Sequence, residues 1–327
     1  MHEALVATDV TKRYGETVAL DGVDLSVADG EVFGLIGPNG AGKTTLVRAL
    51  TGTTAVDGEV RVQDRHPTDV DADRVGLLPQ SFSPPTRLTA RELIDYYGGL
   101  YETARDTDEI LSTVGLAETA DSWYETLSGG QQRRVCVGIA LVNDPDVLFL
   151  DEPTTGIDPA GRRSLWSVLE TLADGGTTIL LTSHSMAEVQ RLSDRVGLLR
   201  DGQLVAVGTP DELIADHGGG SRLVIDTDAS EAAADALADA GFAATAEPTA
   251  VVVDNVSPVD IGDAVDALSA ADLPYESLTW SEPTLEDVYL QLTGESFEGA
   301  GSRSATATPA VDSTAETDTA ATQEGRQ

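Results

Sequence analysis

Val32-Phe33-Gly34-Leu35-Ile36 runs directly into Gly37-Pro38-Asn39-Gly40-Ala41-Gly42-Lys43-Thr44, and Thr45-Leu46-Val47-Arg48-Ala49-Leu50 follows. An apolar run, a glycine loop and a helix-forming stretch read as the strand, loop and helix of a P-loop. Glycines let the backbone turn its N–H groups toward an anion, and the following helix adds the positive end of its dipole. Lys43 supplies a point charge for the β- and γ-phosphates of a nucleotide, while the Thr44 hydroxyl is placed to coordinate Mg²⁺.

Outward from this segment, the composition limits the rest. The chain has 327 residues, enough for a large core and, on length, two domains. Its hydrophobic fraction of 41% is that of a globular protein, but its formal net charge is −36. Lys12 and Lys43 are the only lysines among 20 basic residues. Such an acidic, arginine-biased surface suits a cytosol of very high salt, where the Debye length falls to about 3 Å at 1 M and self-repulsion is screened. A nucleic-acid partner is disfavoured, because neutralising phosphates needs a basic surface. Cys136 is the only cysteine and sits among Val135, Val137 and Ile139, so it reads as core filling in a reducing compartment. The segment Met1-His2-Glu3-Ala4 lacks a signal-peptide pattern, and no apolar run reaches the roughly 18 residues that cross a bilayer. The chain reads as soluble, or held at a membrane by something else.

Leu5 to Val10 and Val18 to Val27 alternate around the turn Arg13-Tyr14-Gly15-Glu16, as a hairpin ahead of the P-loop strand. Further strands are expected at 59–62, 75–78, 147–150 and 178–181, and helices at 90–100, 107–114, 161–173 and 186–192. Apolar strands alternating with amphipathic helices predict a parallel sheet covered on both faces, closed by a β-rich ending at 196–200 and 204–207. His217-Gly218-Gly219-Gly220-Ser221 reads as a linker. Beyond it, the order strand, helix, strand, strand, helix, strand over 222–280 suggests a small ferredoxin-like α+β module, with a last helix at 284–292. The expected domains are therefore 1–217, a linker at 218–221, a module at 222–295, and a disordered low-complexity tail at 296–327.

Two further motifs carry chemistry. Leu127-Ser128-Gly129-Gly130-Gln131-Gln132-Arg133-Arg134 precedes Val147-Leu148-Phe149-Leu150-Asp151-Glu152-Pro153. The second describes a buried strand that delivers two carboxylates to the phosphate end of a sheet. The first opens a helix with free N–H groups, a second anion site. One chain cannot easily use both anion sites on one nucleotide, so the second is expected to serve a partner.

Over roughly residues 4 to 215, these motifs in this order resemble the ATP-binding cassette family, the nucleotide-binding subunits of ABC transporters. The resemblance implies an α/β P-loop NTPase core with a mixed sheet, a β-subdomain and a helical subdomain. It makes Gly37, Pro38, Asn39, Gly40, Ala41, Gly42, Lys43 and Thr44 the Walker A loop, with Thr45 beside it, and Ser128, Gly129, Gly130 and Gln131 the heart of the signature motif. Asp151 matches the Walker B carboxylate that holds Mg²⁺, together with Thr44 and Gln80, and Glu152 matches the general base. Gln80 falls at the Q-loop, His184 at the switch histidine, Asp158 in the D-loop and Tyr14 at the aromatic that stacks on adenine. Ile157 stands where the D-loop more often has leucine. His2, His66 and His217 have no matching context and are expected to be solvated.

The resemblance implies an ATPase with ATP and Mg²⁺ at each site. Two copies would form a homodimer head to tail around two ATP molecules and drive an integral-membrane permease from the cytoplasmic, inner face of the membrane. Glu282 to Gly294 looks like the ending of ATPases paired with ABC-2-type permeases in drug-export systems. A soluble ABC ATPase acting on the ribosome or nucleic acid is the alternative, set back by the acidity, the single cassette and the single cysteine. A module that binds ATP without turnover would be expected to lose Glu152, His184 or Ser128, and all three are present.

Overall fold

A computed structural model describes residues 2–294, so the expected tail at 296–327 lies outside the described residues. Strands β1 (Glu3–Tyr14) and β2 (Thr17–Ala28) form an antiparallel hairpin. Its turn is tighter than the expected Arg13 to Glu16: Tyr14 still pairs with Thr17, leaving Gly15 and Glu16 as the loop. Gly15 takes a φ of 61°, a conformation glycine adopts without penalty. After β3 (Val32–Ile36) and α1 (Lys43–Leu50), strand β4 (Asp57–Val62) joins β1, giving a three-stranded sheet in the order β2-β1-β4.

The chain continues through β5 (Val75–Leu78), α2 (Ala90–Gly98), α3 (Thr107–Thr113), α4 (Gly129–Ile139), β6 (Val147–Asp151) and α5 (Pro159–Asp174). Then come β7 (Thr178–Ser183), α6 (Met186–Leu192), β8 (Arg195–Arg200), β9 (Gln203–Gly208) and α7 (Pro210–His217). The central sheet runs β5-β6-β7-β3-β8-β9, parallel except for β9, which lies antiparallel on β8. Every residue of β3, β6 and β7 is buried, as expected of strands covered on both faces. Alternate residues serve the two faces: Leu148, Leu150, Ile179 and Leu181 pack with α2 to α6, and Phe33, Leu35, Phe149 and Leu180 with α1 and the hairpin. The register sets Ile36 beside Ser183 and Asp151 beside Thr182, so the ends of β3, β6 and β7 converge at one edge.

Helix α7 was not expected from the sequence, although Thr209-Pro210-Asp211-Glu212 carries its start signal. Thr209 and Glu212 form a capping box, and Pro210 occupies the first turn. Beyond it, β10 (Arg222–Asp226), α8 (Ser230–Asp239), β11 (Ala243–Ala246), β12 (Ala250–Asp254), α9 (Ile261–Ala270) and β13 (Ser277–Ser281) form an antiparallel sheet in the order β11-β12-β10-β13. The helices cover one face, over Leu223, Ile225, Val251 and Val253, in the ferredoxin-like arrangement. Helix α10 (Leu285–Thr293) leaves this module. Its Leu285, Val288 and Tyr289 join the cluster of Met186, Val189 and Leu213 on α6 and α7.

Candidate active site

The P-loop conformation requires its glycines where backbone approaches backbone. A Cβ on Gly37 would lie 2.3 Å from the Leu199 carbonyl oxygen, and one on Gly42 2.4 Å from that of Ala19. Gly42 also takes a φ of 112° as the cap of α1. Lys43, only 5% exposed, donates from Nζ to the carbonyl oxygens of Gly37 at 2.6 Å and Pro38 at 3.2 Å. Burial holds the amine below the ordinary lysine range, opposed by the charges of Glu152 and Asp151. Pro38, Asn39, Gly40, Gly42, Lys43, Thr44 and Thr45 line a cleft of about 390 Å³ with Gln80 and Glu152. Gly37 and Ala41 do not line it; Ala41 is buried, and its amide donates to the Pro38 carbonyl oxygen at 3.2 Å.

Glu152 is the hub of this cleft. Its Oε1 lies 3.7 Å from Lys43 Nζ. Its Oε2 accepts from Gln80 Nε2 at 2.9 Å and Thr155 Oγ1 at 3.1 Å, and lies 3.6 Å from His184 Nδ1. Thr182 Oγ1 accepts the Glu152 amide at 3.0 Å and donates to Asp151 Oδ1 at 2.6 Å. Asp151 is buried, while the His184 side chain is 53% exposed at the cleft edge. Three parallel strands thus gather Lys43, Asp151, Glu152 and His184, and the loop after β5 adds Gln80.

Ser128 to Gln131 and Asp158 lie elsewhere. Ser128 caps α4 in a capping box with Gln131, and Asp158 caps α5, accepting the Gly161 amide at 3.2 Å. These residues line a separate cleft of about 500 Å³ that shares no residue with the first. A Cβ on Gly130 would meet Gly161 Cα at 2.8 Å, so the two helix starts touch. Tyr14 does not line the P-loop cleft. It is 46% exposed at the end of β1, and the neighbouring polar side chains of Thr54, then of Thr45 and Arg48, hold its phenol below the ordinary tyrosine range. Lys12 Nζ lies 5.2 Å from its ring centroid.

Other expectations are refined. His2 is exposed but engaged, with Nδ1 3.2 Å from Asp29 and Nε2 2.8 Å from Asp64. His66 is exposed and caps a short turn, and His217 is half-buried at the end of α7. Cys136 is buried against the Tyr124 hydroxyl at 3.5 Å, and burial raises its thiol pKa.

Two contributors carry no local sequence signal. Arg133 donates to the carbonyl oxygens of Pro153 at 2.8 Å, Glu152 at 3.1 Å and Asp151 at 3.2 Å. Glu188 is fully buried. Arg133 follows the signature motif and Glu188 follows His184, but their partners come together only in the fold.

Comparison with known proteins matches this arrangement. A family model described as ABC transporter matches residues 20–155. The daunorubicin resistance ATP-binding protein DrrA3 of Streptomyces coeruleorubidus is 37% identical over 89% of this chain and 96% of its own length. This chain belongs to the ABC transporter ATP-binding family. The ABC ATPase is also 33% identical to the linearmycin resistance ATP-binding protein LnrL of Bacillus subtilis, over 90% of this chain and 99% of that one. A crystal structure of an ABC transporter ATP-binding cassette in its ADP conformation matches with a TM-score of 0.60 and 27% identity, covering 66% of this chain and 95% of its own. A dimeric cassette in a post-hydrolysis state with ADP and Pi matches with a TM-score of 0.55 and 26% identity, over 63% of this chain and 98% of its own. A second model, an AAA domain described as a putative AbiEii toxin, matches residues 122–190 within the same core. The ABC ATPase therefore binds and hydrolyses ATP.

Proposed function

We propose that this ABC ATPase drives an exporter, pairing head to tail with a second copy and coupling to a separate ABC-2-type permease. The observation that carries the hydrolytic part is the Glu152 carboxylate, in reach of Lys43, Gln80, Thr155 and His184 beside the glycine loop. A carboxylate there can accept the proton of the attacking water, with Gln80 and His184 orienting water and γ-phosphate. Lys43, already turned toward the loop's own carbonyl oxygens, would exchange them for phosphate oxygens. Tyr14 would take the adenine ring.

Thr44, Gln80 and Asp151 offer a hydroxyl, an amide oxygen and a carboxylate, which suits Mg²⁺, an ion that keeps much of its shell for water and substrate phosphates. When bound, Mg²⁺ would neutralise charge on the β- and γ-phosphates.

The separation of the two clefts supports the head-to-tail arrangement. Ser128 and Gly129 are exposed at the N-terminus of α4, where a partner's nucleotide could reach them, and Asp158 lies beside them. The relatives are resistance and export proteins, including the Nod factor export ATP-binding protein I of Paraburkholderia xenovorans, 37% identical over 91% of this chain and 100% of its own. They favour export over action on the ribosome or nucleic acid. No helix among the described residues is long and apolar enough to cross a membrane, so in this reading the permease holds the chain at the inner, cytoplasmic face. The charge of −36 supports a high-salt host.

The test is Glu152→Gln, which keeps shape but removes the base. We expect ATP binding within about twofold of wild type, a trapped dimer on size exclusion, and turnover lowered by about 100-fold or more. Turnover at the wild-type rate would remove Glu152 from the base role.

A further inference from the structure

Helix α6 follows the switch histidine, and its Glu188 is 0% exposed. Oε2 accepts from Ser183 Oγ at 2.5 Å and from Thr154 Oγ1 at 3.0 Å. Oε1 accepts from Trp166 Nε1 at 3.0 Å. Two hydroxyls and an indole, all neutral, therefore hold a buried carboxylate. A buried carboxylate is costly unless its lone pairs are satisfied, and once satisfied it fixes its donors in direction as well as distance.

The three donors belong to three separate segments around the proposed site. Ser183 ends β7 immediately before His184, and its Oγ also accepts the Ser185 amide at 2.9 Å, so the turn carrying the histidine is held from both sides. Thr154 adjoins Thr155, whose hydroxyl donates to Glu152 at 3.1 Å. Trp166 lies on α5, the helix capped by Asp158, and its ring also lies under the Arg191 guanidinium at 5.3 Å. We propose that Glu188 is a positioning residue of ATP hydrolysis: one carboxylate that holds the His184 turn, the loop behind Glu152 and the helix behind Asp158 in a single register. This rests on the hydrolytic reading of Glu152 and His184 given above. Glu188 touches no nucleotide in this scheme and acts through Ser183, Thr154 and Trp166.

The full-length chain carries the test. Glu188→Gln keeps the shape and replaces one acceptor oxygen by an NH₂ group, so at least one of the three donors loses its partner. Trp166→Phe removes the indole donor and keeps an aromatic ring beneath Arg191. For Glu188→Gln we expect kcat to fall about 10–100-fold, as for groups that orient metal ligands, with ATP affinity retained and Tm lowered by only a few degrees for the donor left unpaired. Trp166→Phe should fall in the same direction by less. A parallel loss of kcat, ATP affinity and Tm would make Glu188 a merely structural residue and overturn the proposal. So would wild-type kcat. If Glu188→Gln does not fold, Trp166→Phe and Ser183→Ala decide, and wild-type kcat in both overturns it. Glu152→Gln is measured alongside. Wild-type turnover there removes the base assignment, whereas an inactive Glu152→Gln with a fully active Glu188→Gln removes the Glu188 proposal alone.

Discussion

Glu152 sits in the left-handed region with φ at 48°, a conformation that costs a non-glycine residue about 1–3 kcal/mol unless its surroundings impose it. Arg133 supplies part of that imposition, because its guanidinium donates to the carbonyl oxygens of Asp151, Glu152 and Pro153 together. Arg133→Gln is expected to lower kcat about tenfold or more while ATP binding is retained, since the Lys43 loop is untouched. Steady-state kinetics beside equilibrium binding check this, and a loss confined to KM would contradict it. Lys43 gives a second expectation. Its buried amine is held below the ordinary lysine range, and bound phosphates would favour the ammonium form. ATP binding in alkaline buffer should therefore be accompanied by proton uptake, read from calorimetry in buffers of different ionisation heat; zero uptake would mean the amine is already fully charged. By the same sign, the unfolded chain binds the extra proton between the depressed and ordinary values, so this group's contribution to stability rises with pH across that window. The P-loop, Asp151 and Glu152 were legible in the sequence because short motifs encode them, whereas Gln80 and His184 carry no motif of their own and followed only from the family resemblance. Arg133 and Glu188 were not, since three carbonyls in one case and three donors in the other come from segments that only the fold brings near.

At the scale of elements, the touching starts of α4 and α5 are a point of fragility. Gly130→Ala places a methyl where Gly161 Cα already lies, and overpacking of this kind costs about 1–3 kcal/mol. Thermal melting should show the loss, and the cleft lined by Ser128 and Asp158 should be distorted enough to weaken dimer trapping in a Glu152→Gln background. An unchanged Tm with full trapping would show that the helices part without consequence. The strands β6 and β7 could be read from sequence because continuous apolar runs between helices have few other solutions. Helix α7 is hard to read from sequence because its eight residues make barely two turns of apolar periodicity before Gly218-Gly219-Gly220, leaving the capping box at Thr209 and Glu212 as its clearest local signal. The hairpin is legible in its alternating apolar residues, but the length of its turn is not, since only the pairing of Tyr14 with Thr17 shows the ladder running up to Gly15 and Glu16.

For the molecule as a whole, a net charge of −36 makes stability a function of salt. Exposed pairs such as Arg61 with Glu59 and Arg65 with Asp71 contribute little each and cannot offset the repulsion among unpaired carboxylates. Tm is expected to rise as KCl increases from about 0.1 M, where the Debye length is about 10 Å, to about 1 M, where it is about 3 Å. A Tm that falls over this range would show that repulsion is not what limits the fold. Helix α10 bears on a different process, the order in which the chain leaves the ribosome. Because Leu285, Val288 and Tyr289 fill the same cluster as Met186, Val189 and Leu213, the nucleotide-binding core cannot finish packing until nearly the whole described chain has been translated. A nascent or truncated chain ending before α10 presents that apolar groove to solvent, where chaperones and proteases recognise unfinished proteins. A chain cut before Leu285 is therefore expected to be degraded by protease faster than one that reaches Thr293, because only the latter covers Met186, Val189 and Leu213.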